Sequence, residues 1–266
     1  MVDIAPTTTP DGRFAYEAVG SPDLPPLVFL HGIGGAARAF RPQLAYFGDR
    51  YRAMAWDMPG YGGSAPLPVT SIATFATALR DFLKGCGAHK PILVGHSIGG
   101  AYIAQAAAQA PTRIKRLVFL SAFVPGAGHA LADEFPPADA AFFDMTDPAQ
   151  GFLLPFPVIR ERACNDMDFA AATAIYAQMS PLPVRYFTDK LDLDTFHELI
   201  ASGGLHASYV NPISDMALPP GEYASFPRFA QRLGPLARIL QIPGSHYVMF
   251  NRPADLAETL VSAGCD

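Results

Sequence analysis

Apolar residues recur along this chain in two rhythms. Short continuous runs bounded by Gly, Pro and Asp alternate with stretches in which apolar side chains return every three or four positions. Residues 26–30, 51–56, 91–94 and 116–120 are runs of the first kind, as expected of parallel strands covered on both faces. Residues 13–19 alternate instead and read as an edge strand, closed by Gly20-Ser21-Pro22. Helical patterns lie between the runs. One opens after His31-Gly32-Ile33-Gly34-Gly35 and reaches about Phe47. A second is capped by Ser71 and reaches about Leu83, with Ile72, Phe75, Ala76, Leu79 and Phe82 on one face. The third is the alanine-rich 101–108. Strand and helix in alternation predict a parallel α/β sheet with right-handed crossovers.

After Phe123 the rhythm changes. Residues 124–193 contain no strong strand, are dense in Pro, Phe and Ala, and hold helix-like pieces, of which 168–179 is the clearest. A structureless loop of this length does not suit a compact domain, so a helical insertion folding over the sheet edge is expected. The α/β pattern resumes at 206–210, followed by a helix over about 223–233, a strand at 236–242 and a last helix with Pro253 at its first position. The predicted organisation is a core of residues 1–123 and 194–266, interrupted by a helical cap of residues 124–193.

Composition narrows the class. Half of the 266 residues are apolar and 16% are charged, enough for a substantial core. A net charge of −5 without a Lys or Arg run argues against nucleic acid and anionic membrane surface as partners. No apolar run approaches the ~20 residues of a membrane span. Disorder is expected only within the first dozen residues. Residues 1–11 are rich in Pro and Thr and lack an apolar core segment, so no secretory signal is predicted. Cys86, Cys164 and Cys265 are odd in number and far apart, which reads as free thiols in a reducing compartment. The expectation is a cytoplasmic monomer or homodimer.

The chemistry centres on Gly95-His96-Ser97-Ile98-Gly99-Gly100, which joins a strand to a helix. A serine in G-x-S-x-G in that context is a nucleophile elbow. Its glycines avoid collisions at a tight turn, and the following helix start offers free N–H groups and a positive dipole end. A serine nucleophile needs a base and an orienting acid, in the chain order Ser, Asp/Glu, His. His246, in Pro243-Gly244-Ser245-His246 after the 236–242 strand, is the candidate base. His206 falls in a strand, His31 in the glycine loop, and His129 and His197 in the insertion. His96 adjoins the serine, but a strand neighbour points away from the site, so it is assigned to substrate contact rather than to proton transfer. Asp215, just past the 206–210 strand, is the candidate acid, with Asp189, Asp192 and Asp194 as alternatives. Residues 121–125 offer no acid, and Asp57 is expected to fix its own turn. The oxyanion donors are predicted to be the amides of Ile98 and Ile33. Gly32 and Gly34 allow close backbone approach to substrate, and the glycine loop lacks the lysine of a phosphate-binding loop. Phe123, Tyr247 and Met249 are further candidates for the substrate pocket. No metal-ligand spacing is present and no cofactor is expected.

His31-Gly32, Asp57-Met58-Pro59-Gly60-Tyr61-Gly62-Gly63-Ser64, the elbow and Gly244-Ser245-His246 together resemble the α/β-hydrolase superfamily over essentially the whole chain. The resemblance implies the α/β-hydrolase fold: a mostly parallel central sheet flanked by helices, with a helical cap inserted after the sixth strand. A finer resemblance is to plant methyl esterases, hydroxynitrile lyases and their bacterial esterase relatives. It rests on residues 119–125, Asn165-Asp166-Met167-Asp168, Tyr186-Phe187-Thr188-Asp189 and Ser214-Asp215-Met216-Ala217-Leu218-Pro219. The last segment is similar to that group's acid loop and aligns Asp215 with its catalytic aspartate. The lyases carry threonine and lysine where this chain has Gly32 and Tyr247, which turns the expectation from cyanohydrin cleavage to ester hydrolysis. The implied substrate is a small apolar or aromatic ester, because Phe123, Phe135, Phe142, Phe143, Phe152, Phe156 and Tyr176 cluster in or beside the insertion. Two alternatives stay open: a C–C bond hydrolase, with Arg160, Arg162 or Arg185 serving a carboxylate tail, and a non-catalytic receptor or scaffold of the same fold.

Overall fold

A computed structural model describes residues 4–265. Eight strands form one sheet: β1 (Pro6–Thr8), β2 (Ala15–Val19), β3 (Pro26–Leu30), β4 (Arg52–Trp56), β5 (Ile92–His96), β6 (Arg116–Leu120), β7 (His206–Pro212) and β8 (Arg238–Ile242). Their spatial order is β1-β2-β4-β3-β5-β6-β7-β8. β1 and β2 pair antiparallel, as do β2 and β4, and every other pairing is parallel. The apolar runs of β3 to β6 are buried on both faces by helices, which is why they read as continuous rather than alternating.

Helices α1 (Arg41–Phe47), α2 (Ile72–Gly85) and α3 (Gly99–Gln109) follow β3, β4 and the elbow. Ser71 caps α2 as expected, with Thr74 completing a capping box. Between β6 and β7 come α4 (Pro137–Met145), α5 (Phe156–Val158), α6 (Phe169–Tyr176, capped by Asp168), α7 (Arg185–Thr188) and α8 (Asp194–Ser202). The chain ends through α9 (Arg228–Arg232), α10 (Val248–Asn251) and α11 (Pro253–Ser262), the last with proline in its first turn.

Three expectations are corrected. Part of the N-terminal dozen is ordered: Pro6–Thr8 pairs with β2, whereas Met1 to Asp3 lie outside the described residues. β2 is therefore not an edge strand. A Pro-initiated strand fits the sheet margin, where a missing N–H costs nothing. The helix expected over 223–233 is only Arg228–Arg232, because Pro227 disfavours helical backbone at the residue before it.

Candidate active site

β5 ends at His96, and Ser97 follows with φ at 57°, a left-handed backbone that a residue with Cβ rarely adopts. The turn is tied to β6: Ser97 N–H donates to Leu120 O at 3.3 Å, and Phe123 N–H donates to Ser97 O at 3.0 Å. A Cβ on Gly95 would stand 2.6 Å from Gly99 O, and one on Gly99 would stand 2.9 Å from Leu30 O, so both positions require glycine. Ser97 is buried, as are His246 and the side chain of Asp215.

β7 and β8 are parallel neighbours, so the loops that leave them run side by side. One carries Asp215 and the other His246. His246 Nδ1 lies 3.1 Å from Asp215 Oδ2 and 3.2 Å from Oδ1. Burial pushes the Asp215 carboxyl upward. His246 and Ser121, together with the Ala217 amide at 2.9 Å from Oδ1, outweigh it and hold Asp215 below the usual carboxylate range. Asp189 instead pairs with Arg185 at 3.2 Å, and among the described residues neither it, Asp192 nor Asp194 reaches His246.

Ser121 is the residue that the sequence did not announce. It follows β6 with φ at 47°, donates its hydroxyl hydrogen to Asp215 Oδ2, and sits 2.8 Å from His246 Nδ1. Its signal is positional only: it stands at the end of the strand beside β7.

His96 does not point away from this cluster. Its ring centroid lies 4.7 Å from that of His246, and its Nε2 donates to His246 O at 3.0 Å. Burial, then the neighbouring His246, keeps His96 well below the usual histidine range and therefore neutral. His31 is also neutral, pushed down to about 4 by burial. Its Nδ1–H donates to Gly32 O at 2.9 Å and its Nε2 accepts from Met58 N at 3.1 Å, joining the glycine loop to the loop after β4. Asp57 fixes that second loop as expected, accepting from Ala37 N at 2.7 Å and Gly63 N at 3.2 Å.

Ser97, His246, Ile33, Phe123 and Tyr247 line a common cleft of about 440 Å³. No hydrogen bond joins Ser97 Oγ to His246, a contact that commonly tightens only around a bound substrate. Among the described residues the amides of Ile33 and Ile98 have no acceptor. Gly32, Gly34, His96 and Met249 line a second hollow that shares only Tyr247 with the first. Of the six residues expected to touch substrate, Phe123 and Tyr247 therefore line the Ser97 cleft and the other four do not. The glycine loop has Ile33 on one hollow and its glycines on the other. Among the described residues no cluster of His, Cys, Asp and Glu is arranged to hold a metal, and no helix is long and apolar enough to cross a membrane.

Residues 25–158, about half of the chain, match the family model for the alpha/beta hydrolase fold. The chain belongs to the alpha/beta hydrolase family. An extracellular alpha/beta-hydrolase from a Paenibacillus species is 31% identical with a TM-score of 0.80, over 91% of this chain and all of that one. It is described as sharing structural and functional homology with tobacco salicylic acid binding protein 2. Haloalkane dehalogenase DbeA from Bradyrhizobium elkani shares the fold at 18% identity and a TM-score of 0.71, over 99% of this chain and 98% of that one. Among curated relatives, a 2-succinyl-6-hydroxy-2,4-cyclohexadiene-1-carboxylate synthase of Salmonella paratyphi B is 41% identical over 36% of this hydrolase-family chain and 37% of its own length. Epoxide hydrolase 1 of Caenorhabditis elegans is 36% identical over 43% of this chain and 29% of its own. These matches span little more than a third of the relatives' lengths at most.

Proposed function

We propose that this alpha/beta hydrolase is a serine carboxylesterase acting on a small apolar or aromatic ester. The observation that carries the reading is one cleft lined by Ser97 on a strained turn, by His246 and by Ile33, with Asp215 behind His246 and the Ile98 amide next to the serine in the chain. Ser97 Oγ attacks the ester carbonyl while His246 Nε2 takes its proton. Asp215 and Ser121 hold the imidazole through Nδ1, so that Nε2 faces the serine as a base. The Ile33 and Ile98 amides receive the oxyanion. The alcohol leaves with the proton from His246. Water, deprotonated by His246, then releases the acid and restores Ser97. Residues 124–193 act as a cap over this cleft.

The Paenibacillus relative supports a small-molecule carbonyl substrate, since the protein it is compared with is one that binds a small aromatic acid. The proposed compartment is the cytoplasm, supported by the buried free thiols of Cys86, Cys164 and Cys265. That relative is described as extracellular, so cell fractionation decides the point. The reading itself is tested by fluorophosphonate labelling with peptide mapping. An adduct on Ser97, absent from Ser97→Ala, is expected together with turnover of p-nitrophenyl esters. A wild-type protein that stays unlabelled at Ser97 rejects the proposal.

A further inference from the structure

The Ser97 cleft does not end at the residues around the serine. A larger hollow of about 1020 Å³ adjoins it, and Phe135, Leu154, Val158, Arg162 and Ala217 line both. The outer hollow runs between α4 and residues 151–158, with walls that include Phe142, Phe143, Phe152 and Leu153. Phe143 and Phe152 are held rigidly, their rings packed on Phe187 at 4.5 and 5.2 Å. At its rim Phe142 and Met145 are 56% and 71% exposed, apolar side chains left in water where a ligand would cover them.

Charge narrows the occupant. Among the described residues, Arg162 and Asp139 are the only charged ones lining the outer hollow, and they neutralise each other across 3.1 Å. The other arginines considered for a carboxylate tail are elsewhere: Arg185 pairs with Asp189, and Arg160 lies over the Phe169 ring at 5.7 Å. A carboxylate entering here would find no uncompensated cation and would lose its hydration.

We infer that the outer hollow is a substrate subsite for an uncharged, elongated apolar group, an alkyl chain or a phenylalkyl group, extending from the ester held at Ser97. This inference rests on the esterase reading and names its substrate class. Rigid aromatic walls favour length without charge, and each methylene that leaves water on entering strengthens transition-state binding by about fourfold.

Two measurements test it separately from the chemistry. In the first, kcat/KM is followed along p-nitrophenyl esters from acetate to octanoate and along alkyl acetates from ethyl to octyl. At least one series should rise by about tenfold or more. Leu153→Trp and Thr146→Trp, which fill the outer hollow from different sides, should flatten it. In the second, Ser97→Ala is titrated calorimetrically with octanoate, acetate and hemisuccinate p-nitrophenyl esters, which reads binding whether or not the wild type turns over. The octanoate ester should bind about tenfold or more tighter than either other ester, a preference lost in Ser97→Ala/Leu153→Trp. Flat series, a preference untouched by both tryptophans, or hemisuccinate binding as tightly as octanoate overturns the inference. Binding preference without turnover by wild type keeps the subsite and rejects the esterase reading.

Discussion

A single methyl group decides access to Ser97. A Cβ at Gly32 would stand 2.5 Å from Ser97 Cβ, closer than packed atoms allow, and 3.1 Å from its Oγ. Gly32→Ala should therefore lower kcat/KM on the order of a hundredfold through displacement of the serine or the Ile33 amide, while circular dichroism stays native. Ser121 acts more gently. Ser121→Ala leaves the His246–Asp215 contact but removes a hydroxyl hydrogen bonded to a buried carboxylate, so kcat should fall by about tenfold with KM little changed. At this scale the sequence was informative where chemistry imposes spacing. Ser97, His246 and Asp215 each follow a strand in the order such a site demands. Ser121 was hidden because a serine after a strand has no signature until the register of β6 against β7, Leu120 beside Val210, brings it to the acid. His96 was misjudged for a related reason. Strand alternation describes direction relative to the sheet, and at His96, the last residue of β5, it does not say that the His246 loop crosses that face.

The elements behave alike. Parallel strands and the long helices were legible because burial on both faces, or on one stripe, imposes a period. β1 was not, since a three-residue edge strand has no pattern of its own. Within 124–193 the aromatic residues were visible but their division was not. Phe123 and Phe135 line the Ser97 cleft, Phe142, Phe143 and Phe152 the outer hollow, and Phe156 and Tyr176 pack on each other at 5.3 Å. The same segment also grips the loops of the site. Asp166 Oδ2 accepts from Ser245 N at 2.9 Å and from Asn251 Nδ2 at 2.5 Å, and Asn165 Nδ2 donates to Ser214 O at 3.0 Å. Asp166→Ala should thus slacken the His246 loop and reduce kcat by about tenfold, with Asp166→Asn retaining less of the loss because its amide oxygen still accepts. Unchanged kcat in Asp166→Ala would show that the loop holds itself.

Across the whole molecule, buried ionisable groups set how it meets acid. His31 is held neutral by burial down to about 4, whereas an unfolded histidine takes its proton near 6.5. Its native pKa is depressed, so its contribution is complete above about pH 6.5 and is lost as pH falls toward 4. Glu134 adds to this in the same sense further down. Burial raises its carboxyl, but Arg232 at 2.7 Å and the neighbouring donors win and hold it below the usual range. Denaturant midpoints measured from pH 7 to 4 should fall steadily, and His31→Gln should flatten the upper part of that curve. An unchanged slope in His31→Gln would exclude His31 as its source.

Residues 162–166 touch both loops of the site. The carbonyls of Arg162 and Ala163 accept from Met216 N and Tyr247 N, and Asn165 and Asp166 reach the Ser214 and Ser245 turns. In evolutionary terms this splits one segment into parts with different freedom. The aromatic stretch before it is at liberty to drift toward new substrates. The short stitch is freer at Arg162 and Ala163, which hold the loops by backbone alone, than at Asn165 and Asp166, where a changed side chain unties one loop each.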